Sequence, residues 1–411
     1  MRARTVPVIL FEPAGCEGFG PPVALRPCWE LRVGARRLVE RVLDQVPADS
    51  LHFWSRPSLR ALCPPPPEAL FDAGDLLLVA GNLLLLGEAR LEALAPGERV
   101  DVDGQVVALR LAGPAAREFL ASQQPGATWP DPAPKARECA LGAVLQYWWE
   151  LYEQAPRALA ADRGLLLGTG AWRREDRMDW VAAEDVHLAA DAEIAAGAMV
   201  DASGGPVLID RGVRVGPLSV IQGPCYVGPG TRLKPHTQLL HGCFVGPECR
   251  LGGEIEEAQF QGYANKQHHG FLGHAAVGEW VNLGAGVTNS DLKNNYSDVR
   301  VLQAGRELQS RRRFLGCCLG DHVKVGIQGR INTGTVLEPF TNWFGADFPP
   351  KGLPAFLWGS EAGMTTYALD KALETAAIVM QRRGRTLDAA LSRTITDLFA
   401  ATEASRATLS A

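Results

Sequence analysis

The chain has 411 residues, 46% of them hydrophobic, and a formal net charge of −5. A chain of this length is too long for one compact core, so we expect two or three domains. The small negative charge, without a basic stripe, argues against a nucleic-acid partner.

Two apolar runs near the N-terminus are too short to be targeting or membrane segments. The first follows Arg2 and Arg4 and stops at Glu12, which predicts a buried strand rather than a signal peptide. The second, 76–87, is well short of the roughly 20 residues that a membrane span needs. The nine cysteines lack CxxC spacing. We therefore predict a cytoplasmic protein with free thiols and no membrane partner.

Residues 1–180 combine strand-like and helix-like segments. The stretches TVPVILFE, SLHFWS and LLLVAG predict buried strands, whereas ARRLVERVLDQV and CALGAVLQYWWELYEQ show the periodicity of amphipathic helices. Strands that alternate with helices predict an open α/β sheet, so we place a first domain at 1–180.

A six-residue spacing of aliphatic side chains dominates the middle of the chain. This period fits short strands with a corner every six residues and three corners to a coil, which predicts a parallel β-helix of hexapeptide repeats over 181–345. The uninterrupted series is Ile209, Val215, Ile221, Val227, Leu233, Leu239, Val245 and Leu251. The same spacing occurs at Leu188, Ile194 and Val200, at Phe271, Val277 and Leu283, and at Leu319, Val325, Ile331 and Leu337.

The segments 252–270 and 284–318 break the period. Insertions in a solenoid project as loops from one face, which is often the functional face. The polar stretch at 262–299, GYANKQHHGFLGHAAVGEWVNLGAGVTNSDLKNNYSDV, spans both breaks. We therefore expect the functional site there, followed by a C-terminal helical extension at 346–411.

The polar stretch, together with INTGTV at 331–336 and FPPKGLPAFLWG at 348–359, resembles one family. It is similar to the bifunctional N-acetylglucosamine-1-phosphate uridylyltransferase/glucosamine-1-phosphate N-acetyltransferases, and more closely to their sugar-nucleotidyltransferase-like relatives. The resemblance is strong over about 186–360 and weaker over 1–180. It implies an α/β nucleotidyltransferase-like domain, a left-handed β-helix and C-terminal helices, assembled as a homotrimer.

The resemblance also assigns roles to residues of the β-helix. A histidine shortly before a Leu-Gly pair is the general base in these acetyltransferases, which places that role on His268. The pair that shapes the sugar and acyl site corresponds to Asn295 and Tyr296. Lys234 stands where the family holds an arginine to the sugar phosphate. Acetyl-CoA would be the acyl donor, with a sugar phosphate and a nucleotide or nucleotide sugar as the other partners.

Two positions depart from the family pattern, so the acceptor can differ from glucosamine 1-phosphate. A site tyrosine is Phe271 here, and a phosphate-binding lysine expected at 253–254 is Gly253-Glu254. Lys266 is then either a phosphate ligand or an ordinary solvated lysine. His269 is a second candidate base, because adjacent residues of an extended segment face opposite ways.

The N-terminal domain departs further from active nucleotidyltransferases. Their Gly-rich phosphate loop ends in Pro-Lys, whereas EPAGCEGFGPPVALRP keeps Gly15, Gly18 and Gly20 but ends in Arg26-Pro27. An arginine can still supply charge beside a backbone-amide cradle. The magnesium-binding aspartate corresponds to Asn82, and a neutral amide is a poor Mg²⁺ ligand. The sequence therefore predicts a degenerate or weakly active domain, with Mg²⁺ as an optional cofactor.

Three other functions stay open at this point. The chain can be a sugar-1-phosphate nucleotidyltransferase with a purely structural β-helix, or a non-catalytic sugar-nucleotide sensor. Zinc hydration, as in γ-class carbonic anhydrases, is the third, because His236 and His241 are spaced like His269 and His274. No cysteine or carboxylate cluster supports it, so we predict no metal site in the β-helix.

Overall fold

The structure is a computed structural model that describes residues 6–72, 74–87, 90–122, 134–137, 140–175 and 177–408. It divides into two compact units, the first made of Met1–Phe19, Leu25–Leu31 and Arg36–Tyr147, the second of Gly20–Ala24, Arg32–Ala35 and Trp148–Ala411. The division into three domains at 181 and 346 stays a prediction.

A six-stranded mixed sheet forms the centre of the first unit. Its apolar strands are buried against helix Gly113–Ala121, with Ile9, Phe11, Leu78 and Phe119 in one cluster. The three predicted strands are confirmed, and helix Leu38–Leu43 lies within the predicted helical segment. In spatial order the strands are Leu51–Trp54, Val8–Phe11, Asp75–Ala80, Gln105–Ala112, Glu98–Val102 and Lys135–Arg137.

The helix predicted for CALGAVLQYWWELYEQ is wrong over its first half. Gly142–Val144 is a strand that pairs antiparallel with Leu83–Leu85. Gly142 has a φ of 150°, and a Cβ there would meet the Leu84 carbonyl oxygen at 2.0 Å. The tertiary pairing therefore overrides the apolar periodicity, and helical structure begins only at Glu150–Glu153 and continues in Ala155–Thr169.

A parallel β-solenoid fills most of the second unit, which confirms the predicted fold class. Nearly all its strands pair in parallel with the strand of the next coil. One face contains Val186–Ala189, Val207–Ile209, Cys225–Val227, Cys243–Val245, Cys317–Leu319, Thr335–Leu337 and Gly352–Leu353. A second face contains Trp180–Val181, Met199–Asp201, Val220–Gln222 and Gln238–Leu239, and the long strands Glu254–Phe260 and Phe271–Val277 continue from the second face into the first. Another contains Glu193–Ile194, Arg214–Val215, Arg232–Leu233, Arg250–Leu251, Asn265–Lys266, Asn282–Leu283, Lys324–Val325, Asn342–Trp343, Leu357–Ser360 and Gly363–Thr366.

The strand register explains the six-residue period. Val215 pairs with Leu233, and Leu233 pairs with Leu251, so one coil is 18 residues or three hexads. All eight aliphatic residues of the uninterrupted series lie in one buried core cluster. The series is displaced by one position at Phe271, which is only partly buried, whereas Leu272 is in the core.

The two breaks in the period differ in kind. At the first, Val245 pairs with Phe260, 15 residues on, so this coil is shorter than its neighbours rather than enlarged. At the second, Val277 pairs with Leu319, 42 residues on, and the extra chain includes the antiparallel hairpin Arg300–Gln303/Arg306–Gln309. The expectation of a projecting insertion therefore holds only for the second break.

Three helices follow the solenoid: Leu369–Gln381, Ala389–Ala401 and Glu403–Ala407. Gly384, with a φ of 65°, lies between the first two. Asp388 caps the second helix, since its carboxylate accepts a hydrogen bond from the Leu391 amide. Among the described residues, no helix combines the length and the hydropathy that a bilayer crossing requires.

Candidate functional site

A basic cavity of about 430 Å³ lies on the strand face that contains Arg232–Leu233. Outward positions on five consecutive coils form its floor, and two arginines after helix Leu369–Gln381 contribute from the side. Its cationic lining comprises Arg232, Lys234, Arg250, Lys324, Arg382 and Arg383, and no acidic residue is among the described residues that line it.

The register places these side chains in a row. Arg232 pairs with Arg250, Arg250 pairs with Asn265, and Asn265 pairs with Asn282, so the outward side chains stack from coil to coil. Asn282 in turn pairs with Lys324. Because each residue is one coil from the next, amide and cationic groups converge on one concave surface, which suits an anion with several oxygens.

The cations of the basic cavity are held in place but not neutralised as a group. Arg250 pairs with Glu248 at 2.9 Å, and Arg383 donates to Asn265 Oδ1 at 2.9 Å. Burial lowers the pKa of Lys324 to about 8. Burial also lowers the pKa of Arg383, and the positive charges of Arg250 and Arg382 lower it further. This mutual repulsion would be relieved by a bound anion.

Aromatic rings form one wall of the basic cavity. Tyr263 and Trp280 stack with ring centroids 4.3 Å apart and planes inclined by 17°. Both occupy left-handed corners, with φ of 56° and 63°, and the row continues through His322, Phe340 and Phe356 on later coils. The wall gives the cavity a flat apolar surface beside its charges.

Lys266 is neither a solvated lysine nor a residue lining the basic cavity. It pairs in register with the core residue Leu251, so its side chain takes an inward position, and it is only 2% exposed. Its Nζ donates to the carbonyl oxygens of Gly252 at 3.0 Å, His268 at 3.1 Å and Gly270 at 2.6 Å. Burial lowers its pKa to about 8. Lys266 therefore ties together the backbone of the shortened coil.

His268 and His269 lie in the bend that Lys266 holds. Both side chains are exposed, and the preceding residue, Gln267, lines the basic cavity. The bend continues into Gly270, whose φ of 118° is accessible mainly to glycine. The sequence prediction of a base at the edge of a polar cleft is therefore compatible with the place of His268, and its role stays a prediction.

Asn295 and Tyr296 are in an exposed turn and are not among the residues that line the basic cavity. Asn295 Oδ1 accepts hydrogen bonds from the Ser297 amide at 3.1 Å and the Ser297 hydroxyl at 2.9 Å. Tyr296 is 62% exposed. Lys234, in contrast, lies in the cavity, so of the two predicted groups only the phosphate residue is brought to it.

A charged cluster around His274 was not predicted from the sequence. Its Nδ1 lies 2.8 Å from Asp291 Oδ2 and its Nε2 lies 3.3 Å from Glu257 Oε2, while Glu257 also contacts His241. Burial lowers the pKa of His274, but the hydrogen bond to Asp291 and the nearby carboxylates raise it above its ordinary value overall. His274 is the second member of the His269/His274 pair that was compared with a zinc site, and this spacing was its indication in the sequence.

Glu12 lies at the start of the Gly-rich loop and was not predicted from the sequence to have a role. Its carboxylate accepts hydrogen bonds from the Cys28 amide at 3.1 Å and the Arg56 amide at 2.9 Å, and it pairs with the Arg56 side chain at 2.5 Å. Burial raises the pKa of Glu12, against the lowering effect of Arg56. A carboxylate at the end of strand Val8–Phe11 would have been the signal.

Four of the predicted nucleotide-binding residues, Gly15, Gly18, Gly20 and Arg26, follow Glu12 in the sequence. Gly15 and Gly20 have φ of 94° and 60°, and a Cβ on Gly18 would meet the Gln146 carbonyl oxygen at 2.4 Å, so all three positions require glycine. Arg26 is partly buried. The glycine spacing therefore reflects loop geometry, whatever the loop binds.

Asn82 follows strand Asp75–Ala80, as predicted, and is 4% exposed. Its Nδ2 donates to the Leu145 carbonyl oxygen at 2.8 Å, and its Oδ1 has no hydrogen-bond partner in the described structure. One neutral oxygen is a weak Mg²⁺ ligand. Across the described ranges, no three His, Cys, Asp or Glu side chains are placed to hold a metal ion. Asn82 therefore offers only a single neutral oxygen to a Mg²⁺ ion at this strand end.

Comparison with known proteins found a family model and a curated relative that are similar to parts of this chain. Residues 8–169 match the family model described as "Sugar nucleotidyl transferase". A curated bifunctional sugar-1-phosphate nucleotidylyltransferase/acetyltransferase from Sulfurisphaera tokodaii is 30% identical over 87 residues, which is 21% of this chain and 22% of that protein. The matched stretch thus spans about a fifth of the relative's length.

A structural match is too distant to add to this. The structure of LpxA from Acinetobacter baumannii is 14% identical, with a TM-score of 0.21, and the match covers 48% of this chain and 78% of that chain. The family match and the curated relative are both transferases, as predicted for this chain. The resemblance that the motifs indicated is confirmed: residues 8–169 match the sugar nucleotidyl transferase model, one stretch is similar to the curated bifunctional relative, and the chain also contains a parallel β-solenoid.

Proposed function

We propose that the chain is a transferase of nucleotide-sugar metabolism whose β-solenoid catalyses acetyl-CoA-dependent N-acetylation of an amino-sugar 1-phosphate. The basic cavity carries this proposal. It contains Lys234, the residue that the family resemblance places on the sugar phosphate, together with five other cationic side chains. Such a site favours a phosphorylated acceptor over a neutral sugar.

The loop beside the cavity supplies the chemistry. The acceptor amine attacks the thioester carbonyl carbon, a C–N bond forms, the C–S bond breaks and CoA leaves as the thiolate. The amine proton goes to a base, and an exposed imidazole is suited to this role. His268 follows Gln267 of the cavity wall and takes this role, and Lys266 positions it by donating to its carbonyl oxygen.

The decisive experiment measures CoA release from acetyl-CoA against a panel of amino-sugar 1-phosphates. The matched control is the same amino sugar without its phosphate, which should react with a much higher KM. If no amino-sugar phosphate is acetylated, or if the phosphate makes no difference to KM, the proposal is wrong. Light scattering tests the homotrimer, which we propose from the family resemblance; a monomer at micromolar concentration would contradict it.

Nucleotidyl transfer by the first unit is the second candidate function, favoured by the match over residues 8–169. The neutral Asn82 argues that this activity is weak. We expect little or no Mg²⁺-dependent pyrophosphorolysis of nucleotide sugars. The measurement is the nucleoside triphosphate formed from the nucleotide sugar and pyrophosphate. Robust turnover by the wild type that is lost in Arg26→Ala would show instead that the domain is active.

A further inference from the structure

A second cavity in the solenoid unit, here called the apolar cavity, has the opposite character. Its volume is about 710 Å³, within the range of small-molecule sites in proteins. It lies among three elements: the hairpin Arg300–Gln303/Arg306–Gln309, the strands Thr335–Leu337 and Gly352–Leu353, and helix Glu403–Ala407.

The walls of the apolar cavity are hydrocarbon with few polar groups. Its lining includes Leu302, Val336, Leu353 and Pro354, and Thr402 and Ser405 line it from the helical side. A surface of this kind binds an apolar body, because burial of hydrocarbon is favourable. It does not suit a sugar phosphate, whose hydroxyls and charge would be left unpaired.

One carboxyl group breaks this pattern. Glu338 directly follows strand Thr335–Leu337, and among the described residues that line the cavity it is the single charged one. Its backbone amide donates to the Leu353 carbonyl oxygen, but its carboxyl group makes no hydrogen bond or ion pair with the residues that the structure describes. A carboxyl group without a protein partner is free to pair with a cationic group of a ligand.

The surroundings of Glu338 disfavour the ionised form of its carboxyl group. Burial raises the pKa of Glu338 to about 7. The pKa of the neighbouring Cys318 thiol is raised by burial and further by the charge of Glu338. A ligand that brings a positive charge would hold the carboxyl ionised.

We propose that the apolar cavity binds a small apolar amine whose ammonium group pairs with the Glu338 carboxylate. A neutral apolar molecule would leave the carboxyl group unpartnered, and an anion would be repelled by it. The ligand is therefore of a different chemical class from the phosphorylated acceptor of the basic cavity, and the proposal does not depend on acetyl transfer.

Three probes with one hydrocarbon body and different charge test this proposal: 1-aminoadamantane, 1-adamantanol and adamantane-1-carboxylate. Calorimetric titration of the full chain at pH 8 should show that affinity decreases from the amine to the alcohol to the carboxylate. The amine should bind at least about tenfold more tightly than the alcohol, because hydrogen bonds to charged groups are worth about 1.5 kcal/mol or more.

Glu338→Gln should remove the preference for the amine and keep binding of the alcohol, since the amide has the same shape without the charge. The matched control is Glu403→Gln, an exposed carboxylate on the neighbouring helix that does not line the cavity. Ala404→Phe, which places a ring into the cavity from an exposed helical position, should abolish binding of both.

Equal affinities for the three probes, or a preference for the amine that survives in Glu338→Gln, would overturn the proposal. So would unchanged binding in Ala404→Phe, which would place the probe elsewhere. If the wild type self-associates in sedimentation experiments and Ala404→Phe does not, the cavity is covered by a second copy of the chain, and the amine proposal is wrong.

Discussion

The two cavities of the solenoid unit occupy one scaffold but differ in almost every chemical respect. The basic cavity collects six cationic side chains and no acidic one from the described lining residues, whereas the apolar cavity has hydrocarbon walls and a single carboxyl group. The difference follows from position. The basic cavity uses outward side chains on successive coils, and the apolar cavity lies where a hairpin and a late helix cover the solenoid.

This comparison shows how a repeat separates stability from recognition. Inward positions must be apolar to fill the core, so Leu233 and Leu251 have little freedom to vary. The outward neighbours Arg232 and Arg250 are under no such constraint, and stacking from coil to coil multiplies whatever charge they carry. A solenoid can therefore acquire a charged site without any change in its core.

The largest expected effect tests whether turnover belongs to the loop beside the basic cavity. His268→Asn should lower kcat for acetyl transfer by about 10²–10⁴-fold, the range for loss of a general base, with little change in the KM for acetyl-CoA. The measurement is the rate of CoA release at steady state in the wild type and in the variant.

His269→Asn is the matched control for this variant, because His269 is adjacent and also exposed. Equal activity of the two variants would remove the base from His268. A larger loss in His269→Asn would move the base by one residue.

Lys266 gives the next largest effect and sharpens the distinction between inward and outward cations. Lys266→Met keeps the apolar stem but removes the Nζ donor from three backbone carbonyl groups. Of these only the Gly270 oxygen keeps another donor among the described residues, the Glu254 amide, and an unsatisfied buried acceptor costs about 1–3 kcal/mol. We expect a lower free energy of unfolding by chemical denaturation, and a lower kcat because the His268 bend is released. Unchanged stability together with a raised KM for the acceptor would mean that Lys266 binds phosphate directly.

Lys234 tests the outward cations. Lys234→Gln should raise the KM for a phosphorylated acceptor about tenfold, as expected for loss of one charged hydrogen bond, and leave kcat nearly unchanged. Arg214→Gln is the control, because Arg214 occupies the same outward row as Arg232 but lies outside the cavity. The same loss in both variants would point to general electrostatic attraction rather than to a site, and that attraction would disappear at high salt.

Much of the solenoid could be predicted because its rule is local. The hexad positions from Ile209 to Leu251 are all buried as expected, and each one is decided by its own side chain. Lys266 escaped this rule, since a polar residue in an inward position looks like a surface residue when the coil is three residues short. Only the register with Leu251 reveals its place.

The candidate site was less predictable because its parts are distant in sequence. Lys234 was identified through the family motif, but Arg382 and Arg383 reach the same cavity from a helix about 150 residues later, and no spacing links them. Asn295 and Tyr296 were assigned to the site by the same motif; they lie in an exposed turn that does not line the basic cavity, and their role stays a prediction. Glu338 gave no signal at all, since its meaning depends on the apolar residues around it.

The smallest expected effect concerns the His274 cluster, whose charges are balanced internally, unlike those of either cavity. The folded-state pKa of His274 is raised above its ordinary value of 6.5 by Asp291 and Glu257, which outweigh the lowering effect of burial. Protonation is therefore favoured by folding. The stabilisation is fully present below about pH 6.5 and is lost as the pH rises through the folded-state pKa.

We accordingly expect His274→Gln to destabilise the protein more at pH 6 than at pH 9, measured as the shift in denaturation midpoint relative to wild type at each pH. His241→Gln is the matched control, because His241 contacts the same Glu257 carboxylate but is 53% exposed at its side chain, against 13% for His274. Solvent screens the exposed pair, so its shift should be small and nearly independent of pH. A loss that grew with pH in His274→Gln would show that the buried ring is neutral in the folded protein and that Asp291 serves only as a hydrogen-bond acceptor.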